Sequence, residues 1–77
     1  MMNSEQERII EVANELLIHN STGGSTSEQI AAAFILNEMK YLPFGYINIA
    51  DAWDRLGQQW QQHVRDIQHD HSHLIQR

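Results

Sequence analysis

The chain has 77 residues, no cysteine, and ten acidic side chains against five basic ones, for a formal charge of −5. That length permits one domain with a modest core, and the absence of thiols excludes disulfides and thiolate metal sites. Arg8, Lys40, Arg55, Arg65 and Arg77 are scattered, so no basic cluster is available to neutralise phosphates, and direct nucleic-acid binding is disfavoured.

Five histidines are many for this size, and their protonation would offset the formal charge, so solubility should be lowest in mildly acidic buffer. No long apolar run and no basic leader precede the first amphipathic stretch. The expectation is a cytoplasmic protein that engages no membrane.

The first helix is predicted over 5–19. Asn3 or Ser4 stands at its start, and Ser4 with Glu7 has capping-box spacing. Ile9, Ile10, Val12, Ala13, Leu16 and Leu17 form a broad face at helical period. Glu7, Glu11 and Glu15 step by four along the opposite side. They repel one another mildly, so burial of the apolar face must outweigh them.

The run Asn20-Ser21-Thr22-Gly23-Gly24-Ser25 is a reversal by composition. A second helix is predicted over 26–40, opened by a capping box of Ser25 and Glu28. Ile30, Phe34, Ile35, Leu36, Met39 and the run Ala31-Ala32-Ala33 cover most of its circumference, as in a central, buried helix. The alanines permit close approach of another backbone, and Gly57 is expected to face them.

Pro43 stops this helix by restricting Leu42 and lacking a donor. The connection Tyr41-Leu42-Pro43-Phe44-Gly45-Tyr46-Ile47 is unusually apolar for a loop. It must either cap the bundle or form part of a contact surface for a second chain.

A third, extended helix is predicted over 49–74, capped by Asn48 and carrying an Asp51–Arg55 surface pair. Ile49, Trp53, Leu56, Trp60, His63, Ile67, Asp70 and Leu74 recur at alternating spacings of four and three, a heptad-like stripe interrupted by polarity only at His63 and Asp70. At ~1.5 Å per residue such a rod reaches about 39 Å, against about 22 Å for each of the other two. Its last third would lack a partner in its own chain. A homodimer built on this helix and the 42–47 connection is therefore expected, since two-fold pairs are the commonest way to cover a surplus helical face. Phe44, Tyr46, Trp53, Trp60, Ile67 and Leu74 are its candidate interface residues.

The sharpest chemical motif is His69-Asp70-His71-Ser72-His73. On a helix, His69 and His73 lie one turn apart and would offer two imidazoles to a metal, with Asp66 or Asp70 adding an oxygen. The competing interpretation is a polar helix end, where histidine favours the C-terminal dipole. His63, alone on the apolar stripe, reads as a satisfied core or interface residue. No nucleophile stands with a base and no phosphate-binding glycine loop precedes a lysine, so no cofactor is expected.

The 26–56 segment does not scan as helix-turn-helix, because its linker is long and apolar and the first basic residue of the would-be reading helix is Arg55. The fold class expected is all-α, a three-helix bundle in a single domain spanning 1–77. The function expected is a small non-enzymatic protein–protein interaction or regulatory protein acting as a homodimer and on an unidentified protein partner. Two competing classes are a metal-dependent helical enzyme using carboxylates or histidines, and an acidic protein that competes with nucleic acid for a basic partner.

Overall fold

The computed structural model describes residues 2–46 and 48–76. Three α-helices run in chain order: α1 (Ser4–His19), α2 (Thr26–Leu36) and α3 (Ile49–Asp70). Short 3-10 turns at Met39–Tyr41 and Ser72–Leu74 follow α2 and α3. The described residues contain no strand. No helix among them is long and apolar enough to cross a membrane.

Helix α2 packs against both of its companions, while α1 and α3 touch each other less. Ile30, Ala31, Ala32 and Ala33 are wholly buried, which fits the central position expected from their distribution round the helix. Around them Ile9, Val12, Ala13, Leu16, Ala52, Leu56, Val64 and Ile67 complete the core. Among the described residues, no buried side-chain nitrogen or oxygen lacks a hydrogen-bond partner.

The helix ends show what local chemistry decides. Asn3, not Ser4, caps α1, and its box partner is Gln6, not Glu7: Gln6 N donates to Asn3 Oδ1 at 2.8 Å and Asn3 N donates to Gln6 Oε1 at 3.3 Å. Ser4 is already helical, so the cap falls one residue earlier than the Ser4–Glu7 spacing suggested. Ser25 and Glu28 form the expected box on α2. Asn48 caps α3 through the Ala50 and Asp51 amides.

Helix α2 stops at Leu36, four residues before the predicted end. Asn37 adopts the left-handed conformation (φ 56°), and its N–H returns to the Ala33 and Phe34 carbonyls. Asparagine tolerates that conformation, so the helix is closed well before Pro43 can act.

Helix α3 is not one straight rod. Gly57 has φ 77° and ψ 167°, a conformation almost confined to glycine, and breaks it into arms 49–56 and 58–70. A Cβ built on Gly57 would meet nothing within 4 Å. Gly57 therefore serves the bend and does not relieve a close approach to the alanines. Two contacts cross the bend. Gln61 Nε2 donates to the Trp53 carbonyl at 2.8 Å, and the Arg65 guanidinium lies 5.4 Å from the centre of the Trp53 ring. In a straight helix residues 53 and 61 would be separated by about 12 Å, and 53 and 65 by about 18 Å, at ~1.5 Å per residue. Both contacts exist only because the chain turns.

The bend removes the premise of an unpartnered last third. Arm 58–70 folds back over α1 and α2, with Val64 and Ile67 buried. Helix α3 ends at Asp70, not Leu74; Ile75 is buried, and Asn14 of α1 accepts from Gln76 N and donates to the Leu74 carbonyl. The expected Asp51–Arg55 pair is replaced by a hydrogen bond from Arg55 Nε to Tyr46 Oη at 3.2 Å.

Candidate contact surface

The apolar connection after α2 divides into an inward and an outward part. Tyr41 is buried and its carbonyl accepts from Gln29 Nε2 at 2.9 Å, which ties the connection to the first half of α2. Leu42 and Tyr46 are half-buried against the core. Between them the chain makes a tight turn in which Tyr46 N donates to the Pro43 carbonyl at 3.1 Å. Gly45, at the third position of this turn, has φ 98°, which a residue with a side chain rarely adopts.

This geometry leaves Phe44 at the turn's second position, at the tip, with its ring fully exposed to solvent (relative accessibility 106%). Met39, Leu42, Pro43, Phe44, Gly45 and Tyr46 line an open depression of about 420 Å³ without a charged side chain. Arg55 holds the Tyr46 hydroxyl from α3, so the turn is braced at both ends: Tyr41 to α2 and Tyr46 to α3. Ile47, part of the predicted connection, lies outside the described residues.

The other candidate interface residues lie differently. Trp53 is half-buried and meets the Phe34 ring edge-on at 5.0 Å; Trp60 is half-buried and packs edge-on with His63 at 5.9 Å. Ile67 is core. Leu74 is exposed on the terminal 3-10 turn. Of the six, Phe44 alone places an entire large side chain in water. Ile18 on α1 and Ile49 at the start of α3 are also exposed; neither was among the candidate interface residues, Ile49 having been assigned to the apolar stripe of the third helix.

A polar cluster joins the start of α1 to the second arm of α3. Gln6 Nε2 donates to His63 Nδ1 at 3.3 Å and to Asp66 Oδ2 at 3.4 Å. Because Gln6 Oε1 is held by the Asn3 amide, its nitrogen must face the histidine, so His63 Nδ1 is the acceptor and Nε2 carries the hydrogen. That Nε2–H donates to Glu5 Oε1 at 3.1 Å, and Gln59 donates to the same oxygen. His63 is thus the satisfied buried histidine its position suggested. Both ring nitrogens are occupied within the chain.

The His69–His73 pair does not form as a helical ligand pair. Helix α3 ends between them, and His73 sits on the 3-10 turn, its ring 6.5 Å from that of His71. His69 Nδ1 instead pairs with Asp70 Oδ1 at 2.7 Å. The hydrogen bond with Asp70 raises His69 above its ordinary 6.5, and the same bond lowers Asp70 below its ordinary 3.8. Among the described residues, no group of three or more His, Asp or Glu side chains converges to hold a metal. Of the carboxylates on α1, Glu11 pairs with Arg8 and Glu15 accepts from the Thr22 hydroxyl.

A second depression of about 380 Å³ lies where the ends of α2 and α3 meet, lined by Ile35, Asn37, Gln68, Ser72 and Ile75. It presents amides and one hydroxyl but no acid or base. Gln68 Nε2 is already committed to the Phe34 carbonyl at 3.1 Å.

No protein-family model, no curated protein and no solved structure matches this chain.

Proposed function

We propose that this chain is a non-enzymatic protein–protein interaction module that docks through the Phe44 turn. The observation that carries the proposal is the pairing of a fully exposed phenylalanine with a turn braced at both ends. Burying such a ring is worth about 1.5–3 kcal/mol, and a pre-ordered anchor loses little conformational freedom on binding. Neither depression carries a titratable pair able to move a proton, which favours binding over chemistry. The partner we envisage is a protein with an apolar pocket for the ring and a basic rim, complementary to the formal charge of −5.

Placing a photoreactive phenylalanine analogue at position 44, and separately at the exposed Ile18 as control, tests this in cells. A defined protein adduct formed from position 44 and not from position 18 is expected. With that protein purified, Phe44→Ser should weaken binding about tenfold or more while leaving the melting temperature unchanged, since the ring contributes no buried area to the fold. Equal labelling from both positions, or unaltered affinity of the variant, would overturn the proposal. An adduct with a second copy of the chain would assign the turn to self-association, the homodimer that the sequence pattern suggested.

A further inference from the structure

The apolar stripe of Ile49, Trp53, Leu56, Trp60, His63 and Ile67 keeps one helical phase straight through Gly57, but the backbone does not. The side-chain pattern describes a continuous helix, whereas the fold interrupts it at a residue chosen for a conformation other residues avoid. Among the described residues beyond the bend, those that are buried pack within the same chain: Val64, Ile67 and Ile75 in the core with α1 and α2, and His63 on Gln6. The bend itself is marked by Gly57 and by the two contacts that cross it to Trp53, from Gln61 and Arg65.

From this the geometry points to a second assembly, in which α3 straightens at Gly57 and the segment 58–76 is exchanged with that of a second copy. The occupant of the vacated α1–α2 surface is the identical arm of the other chain, so each buried contact is recovered across the interface instead of within the chain. Reciprocal exchange closes on a two-fold axis and leaves no unpaired surface. The straight form gains helical hydrogen bonding through residue 57 and gives up the Gln61 and Arg65 contacts to Trp53. The bent form avoids the entropy loss of association. Gly57 sets the balance, because glycine accepts φ 77° and also disfavours a helix interior. This exchange does not depend on the Phe44 turn.

Residue 57 is the lever for the test. Gly57→Ala cannot take the bent conformation without strain and prefers the helix. It should tighten dimerisation by about a hundredfold or more, because two hinges contribute per dimer. Light scattering should show twice the monomer mass. After co-refolding of isotope-labelled and unlabelled chains, filtered nuclear Overhauser effects should connect His63 of one chain with Gln6 of the other. D-alanine at position 57 is the counterpart. The mirror image of φ 77°, ψ 167° is ordinary extended backbone, so a D residue fits the bend and should hold the chain monomeric. A monomeric Gly57→Ala variant, or a dimer whose His63–Gln6 effects stay within one chain, would overturn the inference. Should Gly57→Ala fail to fold, wild type refolded at millimolar concentration decides. Interchain His63–Gln6 effects in its dimeric fraction support exchange, and their absence from all fractions rejects it.

Discussion

Gln6 and His63, 57 positions apart in the chain, are joined by a hydrogen bond of 3.3 Å from the Gln6 carboxamide nitrogen to the imidazole Nδ1. The same carboxamide closes the capping box of α1 through its oxygen, so one side chain both starts a helix and fastens it to the second arm of α3. Removing it should break both functions at once. Gln6→Ala is expected to cost about 2–3 kcal/mol, from a lost cap interaction and a buried imidazole nitrogen left unpaired. In urea unfolding, Gln6→Ala and His63→Ala together should destabilise by about 1 kcal/mol less than their sum. Strict additivity would show that the two residues do not act as a pair.

The reversal between α1 and α2 contains two adjacent glycines with opposite expectations. A Cβ on Gly24 would lie 2.7 Å from Val12 Cγ2, and Val12 is fully buried and β-branched, so it cannot swing aside. Gly24→Ala should cost about 1–3 kcal/mol by overpacking. Around Gly23 the space is open and its φ is not positive, so Gly23→Ala should be neutral or stabilise by up to about 1 kcal/mol through the unfolded chain. Thermal unfolding of the two variants checks the contrast, and equal effects would refute it.

Asn37 closes α2 in the left-handed conformation at φ 56°. Asn37→Ala should lower stability by about 1 kcal/mol, while Asn37→Gly should match or exceed the wild type. The comparison is made by denaturant midpoint. A harmless alanine would mean that the helix end is not held by this backbone state.

The His69–Asp70 pair carries a pH signature. The raised His69 value stabilises the folded state fully below the ordinary 6.5 and loses that contribution as pH climbs through the folded value. The lowered Asp70 value contributes above the ordinary 3.8 and is lost as pH falls through its own depressed folded value. The pair therefore acts between Asp70's lowered and His69's raised midpoint. Both side chains are well exposed, so solvent screens the interaction and global stability should hardly respond. The sensitive measurement is the imidazole proton resonance of His69 during titration. Its midpoint should lie above 6.5 and fall back toward that value in Asp70→Asn; a midpoint unmoved by the substitution would discount the hydrogen bond.

Particular residues show how much of the fold could be read from the chain alone. The Ser25–Glu28 box and the Asn48 cap depend on side chains that bond to amides two or three residues away, so short-range spacing reveals them. The all-round burial of the alanine helix is likewise legible, because periodicity reports which sides of a helix are apolar. Asn3 and not Ser4 is the cap, boxed with Gln6, and the reach of that Gln6 to His63 is a relation no local pattern contains. Part of the candidate contact surface was visible too. An apolar connection with a proline and a glycine marked the turn, but its division into buried Tyr41, half-buried Leu42 and Tyr46, and exposed Phe44 required the turn geometry.

The amino-acid order by itself determined that this protein is helical, where its second and third helices begin, and which helix is central, because each depends on hydrogen bonds or apolar periods within a few residues. The path of α3 was decided only in three dimensions. Glycine at position 57 can enter a helix or interrupt it, so the choice falls to contacts that exist only after the turn is made: Gln61 and Arg65 on Trp53, and the returning arm on α1 and α2.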